Sequence, residues 1–87
     1  MKNKTLFKDW IVTQMAISGC NQATLARKLS EAKKQDVHRS IISNWVQGRY
    51  IPEPSGLLEL AKVLELPEGE IIGMLQAIIN TIEARKG

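Results

Sequence analysis

Residues 21–47 read NQATLARKLSEAKKQDVHRSIISNWVQ, and this stretch decides the fold. Apolar residues recur every three or four positions in its first third, and again from Val37 to Val46. Asn21 precedes the first run and has a side chain that suits a helix N-cap. The stretch therefore predicts two consecutive amphipathic helices that pack against each other.

The segment SEAKKQD, residues 30–36, separates the two apolar runs. No glycine lies between Gly19 and Gly48, so a tight left-handed turn has no obvious site in this connection. The composition of the segment is instead compatible with a helix. We therefore expect helix two to continue to about Lys34, and Asp36 to cap helix three.

The helical periodicity continues on both sides of this stretch, and the sequence contains no useful length of strand-like alternation. Glycine or proline marks most of the boundaries. The five predicted helices cover residues 5–18, 21–34, 37–47, 54 or 55 to 64, and 67–85. The sequence thus predicts an all-α fold, one compact domain over residues 1–87 with Trp10 and Trp45 in its core.

Length and composition limit the class of protein. With 87 residues, 44% of them hydrophobic, the chain suffices for one small domain. A single cysteine, Cys20, cannot form an internal disulfide, which favours a reducing compartment, so we expect the cytoplasm. Lys8 and Asp9 break the N-terminal apolar run, and the run 71–82 is too short to span a bilayer. We expect a soluble protein without a signal peptide.

Charge is divided unevenly along the chain. Residues 1–52 contain nine Lys or Arg and three acids, a net charge of +6. Residues 53–87 contain three Lys or Arg and six acids, a net charge of −3. The basic half suits a polyanionic partner, although small protein surfaces also differ in charge by chance.

Helix three has two chemically different faces. Its inward face is apolar, whereas its outward face carries Arg39, Ser40, Ser43, Asn44 and Gln47. Side chains of these types hydrogen-bond to base edges in the major groove of DNA, although a polar helix face is often only solvated. A short helix, a turn and a second helix of this composition are typical of a helix-turn-helix DNA-binding motif.

Three stretches resemble the phage repressor and Cro class of helix-turn-helix proteins, also called the XRE class. They are GCNQATLARKL from Gly19, VHRSIISNWVQGRYIP from Val37, and LLELAKVLELPEGEII from Leu57. The resemblance covers roughly residues 10–72. It implies a five-helix repressor-like bundle with a core residue at Cys20. The implied function is sequence-specific binding of double-stranded DNA by a small regulator, a repressor of phage or plasmid type, without a cofactor.

The resemblance also implies roles for individual residues. The residues expected to contact DNA bases are Arg39, Ser40, Ser43 and Asn44. The residues expected to contact phosphates are Asn21, Gln22, His38, Arg49 and Tyr50, together with Lys33 and Lys34, which are expected to do so from their place just before helix three and not from the resemblance. Arginine binds guanine with two hydrogen bonds, so Arg39 is the favoured base contact.

Several of these roles have alternatives. Gln22 is expected to contact phosphate at a helix N-terminus, or else to cap the helix. Asn44 is expected to read adenine or hold a phosphate, and Tyr50 to contact phosphate or pack against the domain. Lys33 and Lys34 are expected either to reach phosphate or to form a solvated helix end.

The C-terminal helix continues beyond the end usual in this class. Ile71, Leu75, Ile78 and Ile82 follow a four-three-four spacing, and Ile72, Met74 and Ile79 widen the apolar stripe. This surface favours a homodimer through residues 70–85, with Ile71, Leu75, Ile78, Ile79 and Ile82 at the interface, over a longer core helix. Such a dimer would read an inverted repeat, with recognition helices about 34 Å apart.

Other functional classes have little support in the sequence. It has no glycine-rich phosphate loop, catalytic triad or carboxylate pair, so we do not expect an enzyme. His38 has no second histidine or cysteine at ligand spacing, so no metal site is expected. The competing hypothesis is a protein-interaction module, such as the antitoxin partner of another protein, in which DNA binding is secondary.

Overall fold

The computed structural model describes residues 4–86, which form five α-helices without a strand. In chain order these are α1 (Phe7–Ser18), α2 (Gln22–Lys33), α3 (Arg39–Val46), α4 (Pro54–Val63) and α5 (Glu68–Lys86). The predicted all-α fold with five helices is therefore confirmed for these residues; residues 1–3 and 87 of the predicted domain lie outside them. The radius of gyration, 12.4 Å, fits one compact globule, for which about 12 Å is expected.

Helix α1 begins at Phe7 rather than at the predicted Thr5, and its first amide is satisfied from outside the helix. Leu6 occupies the N-cap position and has no side chain that accepts a hydrogen bond. Instead, the Phe7 N–H donates to Thr81 Oγ1 of α5 at 2.8 Å. The start of α1 is thus set by a contact with a residue 74 positions away.

Helix α3 is shorter than predicted. It begins at Arg39, and its N-cap is His38, with the ring Nδ1 accepting from the Ser40 N–H. The prediction that Asp36 caps this helix is wrong, because Asp36 lies two residues before the cap, in the connection. Val37, the predicted first residue of helix three, is also outside it and packs against the core.

The core contains buried apolar side chains from all five helices, including Leu60 of α4. Helix α2 packs against α3 and α4, and α1 packs against α3 and α5. Phe7 stacks on Trp10 with ring centroids 5.7 Å apart and meets Trp45 edge-on at 6.2 Å. Such aromatic pairs add to the stabilisation from apolar burial. The predicted core positions of Trp10, Trp45 and Cys20 are confirmed.

Polar contacts fix α5 against α1. Asn80 and Thr81 are buried on α5, and the Asn80 amide donates to the Thr5 carbonyl at 3.0 Å. At the other end of the interface, Gln14 Nε2 donates to Glu70 Oε1 at 3.1 Å. Because buried polar groups need partners, these bonds fix which face of α5 points inward. None of the helices within residues 4–86 is both long enough and apolar enough to cross a membrane.

Candidate nucleic-acid interface

The start of α2 carries the first two predicted phosphate contacts. Asn21 is confirmed as the N-cap, since its Oδ1 accepts from the Thr24 N–H at 2.8 Å. Gln22 follows as the first helical residue and is half-buried. A helix N-terminus favours an anion because its first amides point outward and its dipole end is positive. The side chain of Asn21 therefore caps the helix that presents Gln22.

The connection between α2 and α3 contains a left-handed residue that sequence reasoning did not expect. Lys34 ends α2 with a φ of 56°, in the region that glycine usually occupies. A left-handed conformation costs roughly 1–2 kcal/mol for a residue with a Cβ. The expectation that this connection lacks a site for a tight turn is therefore wrong, because the surrounding contacts impose one on a lysine.

Ser30 supplies the contacts that hold this connection. Its Oγ accepts from the Val37 N–H at 2.8 Å and donates to the Ala26 carbonyl at 2.8 Å. The Gln35 N–H also donates to the Ser30 carbonyl, at 3.3 Å. One serine in the last turns of α2 thus ties down the chain that leads into α3.

The beginning of α3 is held by His38. The Ser40 N–H donates to His38 Nδ1 at 3.2 Å, and Ser40 Oγ lies 3.1 Å from the same nitrogen. A side-chain acceptor at this position satisfies one of the free amides of the first turn. His38 therefore fixes the start of α3 and brings its ring next to the hydroxyl of Ser40.

Helix α3 has a buried face and a polar face, as predicted. Ile42 and Trp45 are buried among α1 and α2, which fixes the rotation of the helix. The predicted base-contacting residues divide by exposure: Arg39 and Ser40 are exposed, and Ser43 and Asn44 are half-buried. Burial of Ile42 and Trp45 therefore turns the polar side of α3 towards solvent.

A side-chain hydrogen bond joins Ser43 of α3 to Gln47, the C-cap residue of this helix. Gln47 Nε2 donates to Ser43 Oγ at 2.9 Å. The Ser43 hydroxyl keeps a proton that it can donate, while the exposed Gln47 amide keeps its carbonyl oxygen. Gln47 thus belongs to the same polar surface as Ser43, although only Ser43 was predicted as a contact residue.

The turn after α3 is closed by Gly48. Its φ is 79°, and the Arg49 N–H donates to the Asn44 carbonyl at 2.9 Å. Arg85 Nη2 of α5 donates to the Gly48 carbonyl at 3.0 Å, so the end of α5 holds this turn. Arg49 is exposed, and Tyr50 is 62% exposed, so the ring of Tyr50 is not packed into the domain.

A cleft of about 430 Å³ brings two predicted phosphate contacts close to α3. Its walls come from the end of α2, the α2–α3 connection, α3, the turn after α3 and the start of α4, and they include Lys33, Ile41 and Tyr50. Lys33 is half-buried, and its Nζ lies 4.0 Å from the place where a Cβ on Gly56 would be. The ammonium group of Lys33 thus lies near the start of α4, whereas Lys34 is exposed.

Most cations of this region have no ion-pair partner among residues 4–86. Residues 21–50 contain six Lys or Arg and two acids, a net charge of +4. Across residues 4–86 there are two ion pairs, Lys4 with Glu83 at 3.3 Å and Arg27 with Glu31 at 3.7 Å, both exposed. The other basic side chains of residues 21–50 take part in neither. Their charges therefore remain available to a polyanion.

The structure assigns the apolar residues of α5 to two different surfaces. Ile71 and Ile78 are half-buried against the core, and Met74 is 2% exposed, so these three serve the domain itself. The predicted interface residues Leu75, Ile79 and Ile82 are exposed. They are joined by Ile72, which the predicted interface did not include.

Three residues hold parts of the site in place, although sequence reasoning did not assign them to it. They are Ser30, which holds the α2–α3 connection, Gln47, which bonds Ser43, and Arg85, which holds the Gly48 turn. Gln47 carries a sequence signal, because it shares the outward face of helix three. Ser30 and Arg85 carry none, since their partners depend on how the helices pack.

Residues suited to metal chemistry do not gather in the described part of the chain. Over residues 4–86, no group of three or more His, Cys, Asp or Glu side chains is placed to hold a metal ion. His38 is instead engaged with Ser40, and Cys20 is a buried free thiol.

Comparison of the chain with protein-family models, with curated proteins and with solved structures gives no match. The resemblance to the repressor and Cro class consequently rests on the residues quoted above. What the structure adds is the placement of those residues on α2, α3 and the following turn.

Proposed function

We propose that this chain is a sequence-specific double-stranded DNA-binding protein that acts in the cytoplasm as a small transcriptional regulator, a repressor of phage or plasmid type. In this proposal α2 and α3 form a helix-turn-helix motif, and α3 enters the major groove. The observation that carries the proposal is the outward polar face of α3 beside cations that have no ion-pair partner within residues 4–86. Major-groove recognition uses this combination of side chains.

Base recognition is assigned to two residues in the first turn of α3 and to two residues one turn further on. Arg39 is exposed at the N-terminal end of the helix, where helix-turn-helix proteins place base contacts. Its guanidinium suits the two acceptors of guanine, and the amide of Asn44 suits adenine. Ser40 and Ser43 are assigned hydrogen bonds to bases or to the nearby backbone.

Phosphate binding is assigned to the residues that flank α3. Lys33 and Tyr50 line the cleft beside α3, and Lys34 and Arg49 are exposed in the segments before and after the helix. Asn21 and Gln22 are assigned the same role at the N-terminus of α2, and so is His38. Such contacts position a protein on DNA without reading its sequence.

Hydrogen bonds that fix the position of α3 favour this assignment over a polar helix face that is only solvated. Recognition of a base edge requires a helix with a fixed position, because hydrogen bonds lose strength quickly as distance and angle change. The start of α3 is held by His38, its entry by Ser30, and its exit by Gly48 and Arg85. We further propose that the chain binds an inverted repeat as a homodimer, with one α3 in each half-site.

Binding to mixed-sequence DNA at increasing salt concentrations tests the proposal. A protein that neutralises about six to ten phosphates loses roughly 10³ to 10⁵ in affinity between about 50 and 200 mM salt. We expect a steep loss of this size in fluorescence anisotropy. Absence of binding at low salt by the folded chain would contradict the proposal and favour the protein-interaction hypothesis.

Two single substitutions separate base reading from general attraction. Arg39→Ala is expected to weaken binding to a preferred site by about 1–3 kcal/mol and to relax the preference at one base pair of each half-site. Lys62→Ala removes one positive charge from α4, outside the proposed interface, and is the matched control. Equal effects of the two substitutions would contradict the assignment of Arg39.

A further inference from the structure

Four large apolar side chains of α5 form one exposed stripe. Ile72 is 64% exposed, Leu75 45%, Ile79 48% and Ile82 42%. Their three-four-three spacing is that of the a and d positions of a heptad, which align along one side of a helix. We call these four residues the α5 stripe; in a helix it is about 15 Å long, at 1.5 Å per residue.

The same heptad positions continue into charged residues at both ends of the helix. Glu68 lies four residues before Ile72, and Lys86 lies four residues after Ile82. Neither charge takes part in the two ion pairs found between residues 4 and 86. The α5 stripe is therefore bounded by an unpaired negative charge at one end and an unpaired positive charge at the other.

We propose that two copies of this chain pair through the α5 stripe with their helices antiparallel and with a two-fold axis that passes the exposed side of the helix at the level of residue 77. In this register Ile72 meets Ile82 of the second copy, and Leu75 meets Ile79. Glu68 meets Lys86 of the second copy, and each of these pairs is centred on position 77. Antiparallel coiled coils stack a positions on d positions in this way.

Charge selects a second copy in this orientation over the parallel alternative. A two-fold interface must be complementary to itself, which requires each residue to find its partner on the same surface of the other copy. In the antiparallel register two Glu68–Lys86 pairs form. In a parallel pairing Glu68 would face Glu68 and Lys86 would face Lys86, and like charges at these positions repel.

The pairing deepens the proposed function, because a two-fold dimer presents α3 twice, but the pairing itself does not depend on DNA. Arg85, which precedes Lys86, also bonds the carbonyl of Gly48 in the turn after α3. The C-terminal end of α5 therefore contacts the second copy and also supports the turn that follows α3.

The mass of the full chain in solution, measured without DNA by sedimentation equilibrium, gives the first test. We expect twice the monomer mass of 9.7 kDa, and a monomer for Ile79→Asp with unchanged helix content by circular dichroism. Leu58→Asp is the matched control, since Leu58 is a 67% exposed leucine on α4. It is expected to leave the dimer intact. A wild-type chain that stays monomeric at millimolar concentration would overturn the proposal, and so would equal effects of the two variants.

Charge reversal tests the register. Glu68→Lys and Lys86→Glu each place like charges in contact twice per dimer, and each is expected to weaken dimerisation roughly two- to thirtyfold. The double variant restores both pairs and is expected to restore the affinity. The double variant has unfavourable charges at both ends of the α5 dipole, so helix stability alone cannot account for such a recovery. Single reversals without effect, or a double variant weaker than either, would overturn the antiparallel register.

DNA binding and pairing can fail separately in these experiments. A dimer without DNA affinity would support the pairing and contradict the proposed function. A monomer that binds DNA with a steep salt dependence would contradict the pairing and support the proposed function.

Discussion

Ser30 offers the most direct test of how the entry into α3 is built. Ser30→Ala removes the oxygen that accepts from the Val37 N–H at 2.8 Å and donates to the Ala26 carbonyl at 2.8 Å. The Ala26 carbonyl keeps its place in the helix ladder, but the Val37 amide loses its acceptor. Lys34 then adopts its left-handed conformation with one fewer contact to hold it.

The size of the effect follows from the groups left behind. A buried donor without a partner costs about 1–3 kcal/mol, and the site of this bond is only partly buried, so we take the lower part of that range. Alanine is a better helix former than serine by about 0.5 kcal/mol, which offsets part of the loss. We therefore expect Ser30→Ala to lower the free energy of unfolding by about 1 kcal/mol.

Urea denaturation followed by circular dichroism measures this change, and hydrogen exchange at the Val37 amide locates it. Ser18→Ala is the matched control, because Ser18 Oγ bonds only the Met15 carbonyl of its own helix, at 3.3 Å. Its expected effect is within about 0.5 kcal/mol of zero. If Ser30→Ala matched the control and left the exchange rate of the Val37 amide unchanged, the reasoning about this connection would be refuted.

Three further substitutions test the fold by urea denaturation. Lys34→Gly removes the Cβ that makes a left-handed conformation unfavourable and is expected to stabilise the domain by about 1 kcal/mol. An unchanged urea midpoint would show that the φ of 56° is not strained. Gly73→Ala is expected to stabilise α5 by about 0.5–1 kcal/mol, because an added Cβ would meet Glu70 Oε1 and Trp10 Nε1 at an ordinary 3.9 Å; destabilisation would contradict that spacing. Trp45→Ala is expected to cost about 3–5 kcal/mol, and a loss below 1 would contradict its burial.

Much of the fold follows from the sequence alone, because burial depends on a periodicity that a single chain displays. The spacing of apolar residues predicts which face of each helix is buried, and Ile42 and Trp45 on α3 are examples. Glycine marks the ends of α1 and α3, since Gly19 and Gly48 have φ values of 74° and 79°. The prediction that Asn21 caps α2 is also confirmed, because capping is an interaction between residues close together in the sequence.

Other features depend on how the helices pack and therefore could not be predicted from the sequence. The predicted end of helix two at about Lys34 agrees with the end of α2 at Lys33, but composition did not predict the left-handed conformation of Lys34, beside which Ser30 bonds Val37. Asp36 is a better N-cap residue than His38 by preference, yet the geometry of the connection places His38 at the cap. The first amide of α1 depends on Thr81, far away in the sequence.

The surface of α5 shows why the site was predicted only in part. Its apolar residues occupy such a wide arc that the sequence does not separate the half facing the core from the half facing solvent. The separation comes from Asn80 and Thr81, whose hydrogen bonds to Thr5 and Phe7 at the start of α1 fix the rotation of α5. Once that rotation is known, Ile78 belongs to the core and Ile72 to the exposed stripe.

Selection of bound sequences from a random pool of double-stranded DNA tests the central claim most directly. The proposed function predicts enrichment of one motif made of two inverted half-sites, with centres about 34 Å apart along the duplex. The same selection with Arg39→Ala is predicted to lose the preference at one base pair in each half-site. Recovery of sequences no different from the starting pool, by a chain shown to be folded, would contradict the claim that this protein reads DNA.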